Sequence, residues 1–153
     1  MQTANVFQLK DRFLVHPESR SVTGLWVATG PFVPLPLDST ALVLGQAVSS
    51  ALANSLASVP NPSDWRAASA PRLAAAGVAS ERAFQSGSEL VCITSSESGY
   101  AVQPHSNGGT IGDSKGFHAI SDCQFTLSPG SSPEAIGSLI LEALASCGTR
   151  PNN

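Results

Sequence analysis

Charge is scarce in this chain. Asp, Glu, Lys and Arg make up 12% of its 153 residues, roughly half the usual share for a soluble domain. The eight basic residues are scattered and the net charge is −3. That balance argues against a nucleic-acid partner, because phosphate contacts need clustered Lys and Arg. Cysteine is scarce too. Cys92, Cys123 and Cys147 form no CxxC or CxxH pair, so neither a disulfide framework nor a zinc site is signalled. Three reduced thiols, no metal, no cofactor and a cytoplasmic location are the expectation. Long apolar runs are also missing. No stretch approaches the ~20 apolar residues of a membrane span. The nearest, 41–57, is broken by Gly45, Gln46, Ser49, Ser50, Asn54 and Ser55. The opening MQTANVFQLKDRF lacks the continuous apolar segment of a signal peptide.

What is present is enough apolar material for a core, and a repeat. Hydrophobic residues make up 42% of the chain, and this length fits one domain, 1–153, with an ordered core expected over 13–147. Residues 33–53, VPLPLDSTALVLGQAVSSALA, align without a gap on 125–145, FTLSPGSSPEAIGSLILEALA, at an offset of 92. Leu35 falls on Leu127, Gly45 on Gly137, and Ala51-Leu52-Ala53 on Ala143-Leu144-Ala145. Each copy reads as a short strand, a polar cap and an amphipathic helix. Such helices bury their apolar stripe against a sheet. The expected fold is therefore α+β: a largely antiparallel sheet with two repeat-related helices packed on one face. A glycine one turn inside a helix costs ~1 kcal/mol relative to Ala, so Gly45 and Gly137 suggest close approach of backbones.

Along the chain, Phe13 to His16 reads as a strand ended by Pro17. Gly24 to Ala28 is a second, with Trp26 expected in the core. Phe32 to Pro36 is an edge strand. Asp38-Ser39-Thr40 caps a helix over 40–57 whose face includes Leu44, Val48, Ala51, Leu52 and Leu56. Ser63 or Asp64 caps a short element containing Trp65, and Pro71 opens a separate helical turn ended by Gly77. Ser80 to Gln85 is one more turn. Glu89 to Thr94 and Tyr100 to Pro104 should form a hairpin. Residues 105–116, HSNGGTIGDSKG, read as a mobile glycine-rich loop. Phe117 to Ile120 leads into a strand over Cys123 to Leu127. Ser131-Ser132-Pro133-Glu134 starts the last helix, and Gly148 should close it.

No reactive signature emerges. The histidines are His16, His105 and His118, and the last two stand near Asp113 and Lys115. A His-dependent hydrolase or nuclease is imaginable, but spacing supplies neither a nucleophile nor an orienting group. SNGGTIG (106–112) lacks the Gly-Lys-Ser/Thr ending of a phosphate loop. Asp38 and Asp64 are explained as caps. Trp65 is either a core plug or an exposed contact.

One arrangement resembles a known family. It comprises His16-Pro17, Gly24-Leu25-Trp26, Pro31-Phe32, Leu35-Pro36-Leu37, Leu44-Gly45, Ala51-Leu52, Pro60-Asn61-Pro62-Ser63-Asp64-Trp65 and the late helix around Ile140-Leu141-Glu142-Ala143-Leu144. Over about 13–145 this is similar to an immunity protein family of bacterial contact-dependent growth inhibition systems. The resemblance implies a non-enzymatic antidote that binds the C-terminal domain of a cognate toxin and blocks its active site. It carries no catalytic residues over. A chaperone or adaptor for a secretion system is the alternative. For an antidote, the contact surface should lie outside the repeat core. The expected residues are Asp64, Trp65 and Arg66 in one segment, and His105, Asp113, Lys115 and His118 in the other.

Overall fold

Two β-hairpins meet at the centre of the structure. The computed structural model describes residues 1–147. Its elements run β1 (Gln2–Gln8), β2 (Arg12–Arg20), β3 (Trp26–Ala28), β4 (Val33–Pro36), α1 (Ala41–Ala53), α2 (Trp65–Ala76), α3 (Glu81–Ser86), β5 (Glu89–Ser96), β6 (Gly99–Asn107), β7 (Phe117–Ala119), β8 (Phe125–Leu127) and α4 (Pro133–Cys147). The strands form one antiparallel sheet in the order β3-β2-β1-β5-β6-β7, with β4 also on β2 and β8 also on β6.

That order reads the same from both ends, and the register shows why. Gln8 faces Phe13 in the first hairpin, and Ser95 faces Tyr100 in the second, 87 positions later (13 to 100). Phe13 faces Leu35, and Tyr100 faces Leu127, 92 positions later (35 to 127). The repeat seen over 33–53 is thus the tail of a longer one. Each half is four strands and a helix, related by a pseudo-two-fold axis between β1 and β5. Pro17 and Pro104 are equivalent. Each sits where the outer neighbour of its strand changes, and each carbonyl accepts one bond from the next segment: Thr29 N–H to Pro17 (3.1 Å) and Ile120 N–H to Pro104 (3.0 Å). A missing N–H on that side of the strand costs no ladder bond, so β2 and β6 run through their prolines and do not end at them.

Both repeat helices lie on one face, as the repeat predicts. Thr40 Oγ1 accepts from the Val43 N–H (3.2 Å), and Ser132 Oγ accepts from the Ala135 N–H (3.2 Å). The helices cross at their glycines. A Cβ on Gly45 would lie 1.6 Å from the Pro133 carbonyl oxygen, and one on Gly137 would lie 1.8 Å from that of Ala41. Ala41 and Pro133 are themselves repeat equivalents, so the seam obeys the same two-fold. Ala4, Val6, Val15, Val91, Ile93 and Val102 back onto α1 and α4. The opposite face holds a second cluster of Phe7, Leu14, Leu90, Ala76 and Phe84, covered by α2 and α3. Those two helices join the halves and have no counterpart.

Several expectations give way. β1 is a central strand in a stretch, 1–12, for which the sequence predicts no element; Ala4 and Val6 face the core and alternate with Thr3 and Asn5 on the polar side. Trp26 is 42% exposed. On the three-residue edge strand β3 it is Val27 that turns inward. Leu56 is exposed because α1 stops at Ala53. Pro71 lies inside α2 and opens no new helix. The bond it cannot make would go to the carbonyl of Ala67, which is on the exposed side of the helix. His105, Ser106 and Asn107 belong to β6, so the loop is shorter than 105–116. Ile120 to Gln124 separate β7 from β8. Gly148 lies outside the described residues.

Candidate functional site

The face of the sheet opposite α1 and α4 is where polar chemistry collects. Alternation sends Thr3, Asn5 and Phe7 of β1, His16 and Glu18 of β2, Cys92 and Thr94 of β5, and Gln103 and His105 of β6 to this side. α2 crosses above them and adds Trp65, Ser69 and Arg72. Between helix and sheet is an open cavity of about 540 Å3, and Trp26 lines it from β3.

The pseudo-two-fold passes through this cavity. Asn5 and Cys92 are equivalent positions and face each other across β1 and β5. The Cys92 thiol donates to Asn5 Oδ1 (2.9 Å), and Asn5 Nδ2 donates to Glu18 Oε1 (2.7 Å). Burial pushes the Cys92 thiol up to about 12, with a smaller push from Glu18, so the sulfur is a neutral donor and a poor nucleophile. Burial also raises the Glu18 carboxyl to about 7, against an opposing pull from Arg72. His16 is 1% exposed, stacked near Phe7 and Phe32. Its Nδ1 contacts the Pro17 carbonyl (2.8 Å), which only accepts, so Nδ1 carries the proton. Burial lowers this imidazole to about 4. Its Nε2, and Thr3 Oγ1, are buried with no hydrogen-bond partner among the described residues. Glu18 and His105 are repeat equivalents, as are His16 and Gln103. A symmetric scaffold here holds asymmetric chemistry.

The sequence-predicted residues fall in several places. Trp65 and His105 line the cavity together, and Trp65 is 48% exposed at its mouth. Asp64 caps α2, with Oδ1 accepting from the N–H groups of Arg66 (3.0 Å) and Ala67 (3.2 Å). Arg66 is exposed one residue on and lines a separate hollow between α2 and α3, which Trp65 also borders. Lys115 borders a third hollow beside α3, with Glu81 and Ile111. Asp113 is exposed and lines none of these. His105 and His118 are not brought together. Ser106 pairs with His118 and His105 with Ala119, so the imidazoles leave the sheet on opposite faces. His105 Nδ1 donates to Gln103 O (3.0 Å), and His118 Nε2 donates to the carbonyls of Ser114 and Lys115. Burial lowers His105. No shared acid/base pair results. Glu18, Asn5, Arg72 and Trp26 were missed. Each is unremarkable in sequence, and only alternation on β1 and β2 could have marked Asn5, His16 and Glu18 as one face.

The comparisons agree with this architecture. A family model for CDI immunity proteins (CdiI) matches residues 2–147. This chain belongs to that family. Among solved structures, a protein of unknown function from Neisseria meningitidis is similar with a TM-score of 0.76 and 22% identity, over 95% of this chain and 94% of that one. A CdiA-CT/CdiI toxin and immunity complex from Yersinia pseudotuberculosis is similar with a TM-score of 0.74 and 18% identity, over 95% and 97% of the two chains. At these identities the likeness is one of fold. No curated protein sequence matches significantly. Among the described residues, no helix is long and apolar enough to cross a membrane, and no group of three His, Cys, Asp or Glu is placed to hold a metal.

Proposed function

We propose that this chain is a non-enzymatic cytoplasmic antidote. It binds the C-terminal domain of a cognate contact-dependent growth inhibition toxin and blocks its active site. The observation that carries this reading is the match to the immunity family from residue 2 to residue 147, which covers both halves of the pseudo-symmetric sheet and the helices that join them. The absence of a nucleophile-base pair at His105 and His118 supports a role in binding without chemistry.

The contact surface in this reading is the open side of α2 and the neighbouring loop. Trp65 is the anchor, flanked by Asp64 and Arg66, with His105 below it. Asp113 and Lys115 form the outer part, and His118 adds to it from the far face of β7. An exposed tryptophan beside a cavity is the kind of residue on which binding energy concentrates. The test is co-expression of the toxin domain encoded beside this gene with wild-type protein and with alanine variants that remain folded. Wild type should protect cells, and Trp65→Ala should cost ~2 kcal/mol or more in affinity. No binding and no protection by wild type would end the antidote reading. Equal protection by every variant at limiting dose would move the surface elsewhere.

A further inference from the structure

We infer that the cavity between α2 and the sheet is a socket for one basic side chain of the bound toxin, a guanidinium or ammonium on an alkyl stem that pairs with Glu18. This rests on the antidote reading and assigns the chemistry of the group inserted.

The cavity is rich in acceptors. Nδ1 of His16 and Nδ1 of His105 are both committed as donors to backbone carbonyls, which leaves each Nε2 with a lone pair. Glu18 uses one oxygen toward Asn5 and has a second to offer. Several of the lining donors are engaged, although the Thr3 hydroxyl has no partner among the described residues. The Ser69 hydroxyl donates to the Trp65 carbonyl. Asn5 Nδ2 serves Glu18. Gln103 Nε2 serves the carbonyls of Pro104, Ile120 and Cys123. Arg72 is held by Glu81 and lies over the Phe84 ring, 4.4 Å from its centroid. An anion entering here would meet the Glu18 carboxyl, with Arg72, which spends one N–H on Glu81, on the helix side. A purely apolar group would bury Glu18 further with nothing to offset it. A guanidinium brings five N–H donors in a fixed fork, and its stem suits the apolar walls. Trp26 and Trp65 line the rim, indole rings attract cations, and Trp26 already carries one in Arg20, 4.5 Å from the ring centroid.

The charge balance agrees. The titratable groups facing Glu18 are His16 on its own strand, Cys92 from β5, His105 from β6 and Arg72 from α2. The first three are neutral near pH 7, each because burial opposes its charge, and Arg72 is matched by Glu81. Burial raises the Glu18 carboxyl to about 7, and Arg72 offsets this only in part. An inserted cation would supply positive charge and release the proton.

Two arms test this. In the first, nitrogen-15-labelled protein is titrated with n-butylguanidinium near pH 8 and, separately, with neutral n-butylurea. The guanidinium should shift the indole N–H signals of Trp26 and Trp65, the urea should not, and Glu18→Gln should weaken the guanidinium response on the order of tenfold or more. This variant keeps an oxygen for Asn5 and removes a buried acid, so it is expected to fold. No indole response, or an equal response to the urea, overturns the proposal. In the second arm the toxin domain is bound to wild type and to Glu18→Gln. A loss on the order of tenfold or more supports the socket, and it should shrink when the inserted Arg or Lys of the toxin is replaced by Met, because coupled residues are not additive. Unchanged toxin affinity in Glu18→Gln overturns the assignment of the occupant, whatever the small cation does. Failure of wild type to bind the toxin is a different result. It ends the antidote reading, and with it the toxin as occupant.

Discussion

Toward α1 and α4, the central strands present Ala4, Val6, Val15, Val91, Ile93 and Val102, all fully buried. Toward α2, the same strands present Thr3, Asn5, His16, Glu18, Cys92, Thr94, Gln103 and His105. Alternation makes the contrast possible, since neighbouring residues leave a strand on opposite sides. The first face is closed by two helices that are copies of each other and meet backbone to backbone. The second is half covered by helices that exist once. The duplicated parts hold the fold, and the unduplicated parts shape the surface. Evolution of a partner surface can proceed on the α2 side with little effect on the seam.

The seam is the place to break that contrast hardest. Gly45→Ala or Gly137→Ala would drive a methyl group into a backbone carbonyl of the facing helix. Backbone cannot rotate out of the way as a side chain can, so the helices must separate and the core beneath them loosens. Either substitution should cost about 3 kcal/mol, read as a lower midpoint in urea unfolding. The pseudo-two-fold predicts that the two costs are alike. A negligible cost at either glycine would mean that the seam is not tight.

How much of this was legible in the sequence follows the same division. Gly45 and Gly137 stood at matching places, and the seam, the single-face helices and the α+β class followed from them. The hairpin Glu89 to Pro104 was legible because Leu90-Val91-Cys92-Ile93 is β-rich and Ser98-Gly99 is turn chemistry. The hairpins themselves did not reveal their repeat, because Phe13 against Tyr100 or His16 against Gln103 preserves pleat and register without preserving residue type. The cavity was half legible. Trp65 and His105 were marked, and they do share it. Glu18 and Asn5 were invisible, since a buried polar face looks in sequence like a solvated one. Trp26 misled because its bulk suggested burial, whereas edge position decides exposure on a three-residue strand.

The polar face can be probed through pH. Glu18 is raised from 4.5 to about 7 on folding, so the folded chain holds that proton more tightly than the unfolded chain. Its contribution favours folding below pH 4.5 and is lost as pH rises through 7. His16 is lowered from 6.5 to about 4. Its contribution is intact above 6.5 and is lost as pH falls through 4. Each effect is worth at most ~3 kcal/mol. Between 6.5 and 4.5 they oppose each other, so these two groups leave the wild-type profile flat there. Glu18→Gln removes one of them. The variant should exceed wild type in stability near pH 8 and then fall with acid as His16 is forced to charge, by up to ~3 kcal/mol. Denaturation midpoints across that range give the two profiles, and parallel curves would refute the coupling.

The smallest expected effect sharpens the contrast from the other side. Among its described residues α2 buries only Ala76, so little packing holds its first turn. What holds it is Asp64, whose side chain accepts from two N–H groups that would otherwise lack partners. Asp64→Ala should cost α2 ~1 kcal/mol. Because the core of the sheet does not depend on that turn, the loss should appear as local opening and leave global unfolding almost unmoved. Hydrogen exchange reads the difference. The amides of Ala68 and Ser69 should exchange about fivefold faster in the variant, as ~1 kcal/mol requires, while those of Leu44 to Val48 in α1 should not change. Trp65 is the first residue of this helix, so the same fraying would loosen the proposed anchor and lower toxin affinity at unchanged global stability. If the α1 amides accelerate in step with those of α2, the two faces unfold as one unit, and the division of labour between scaffold and surface does not hold.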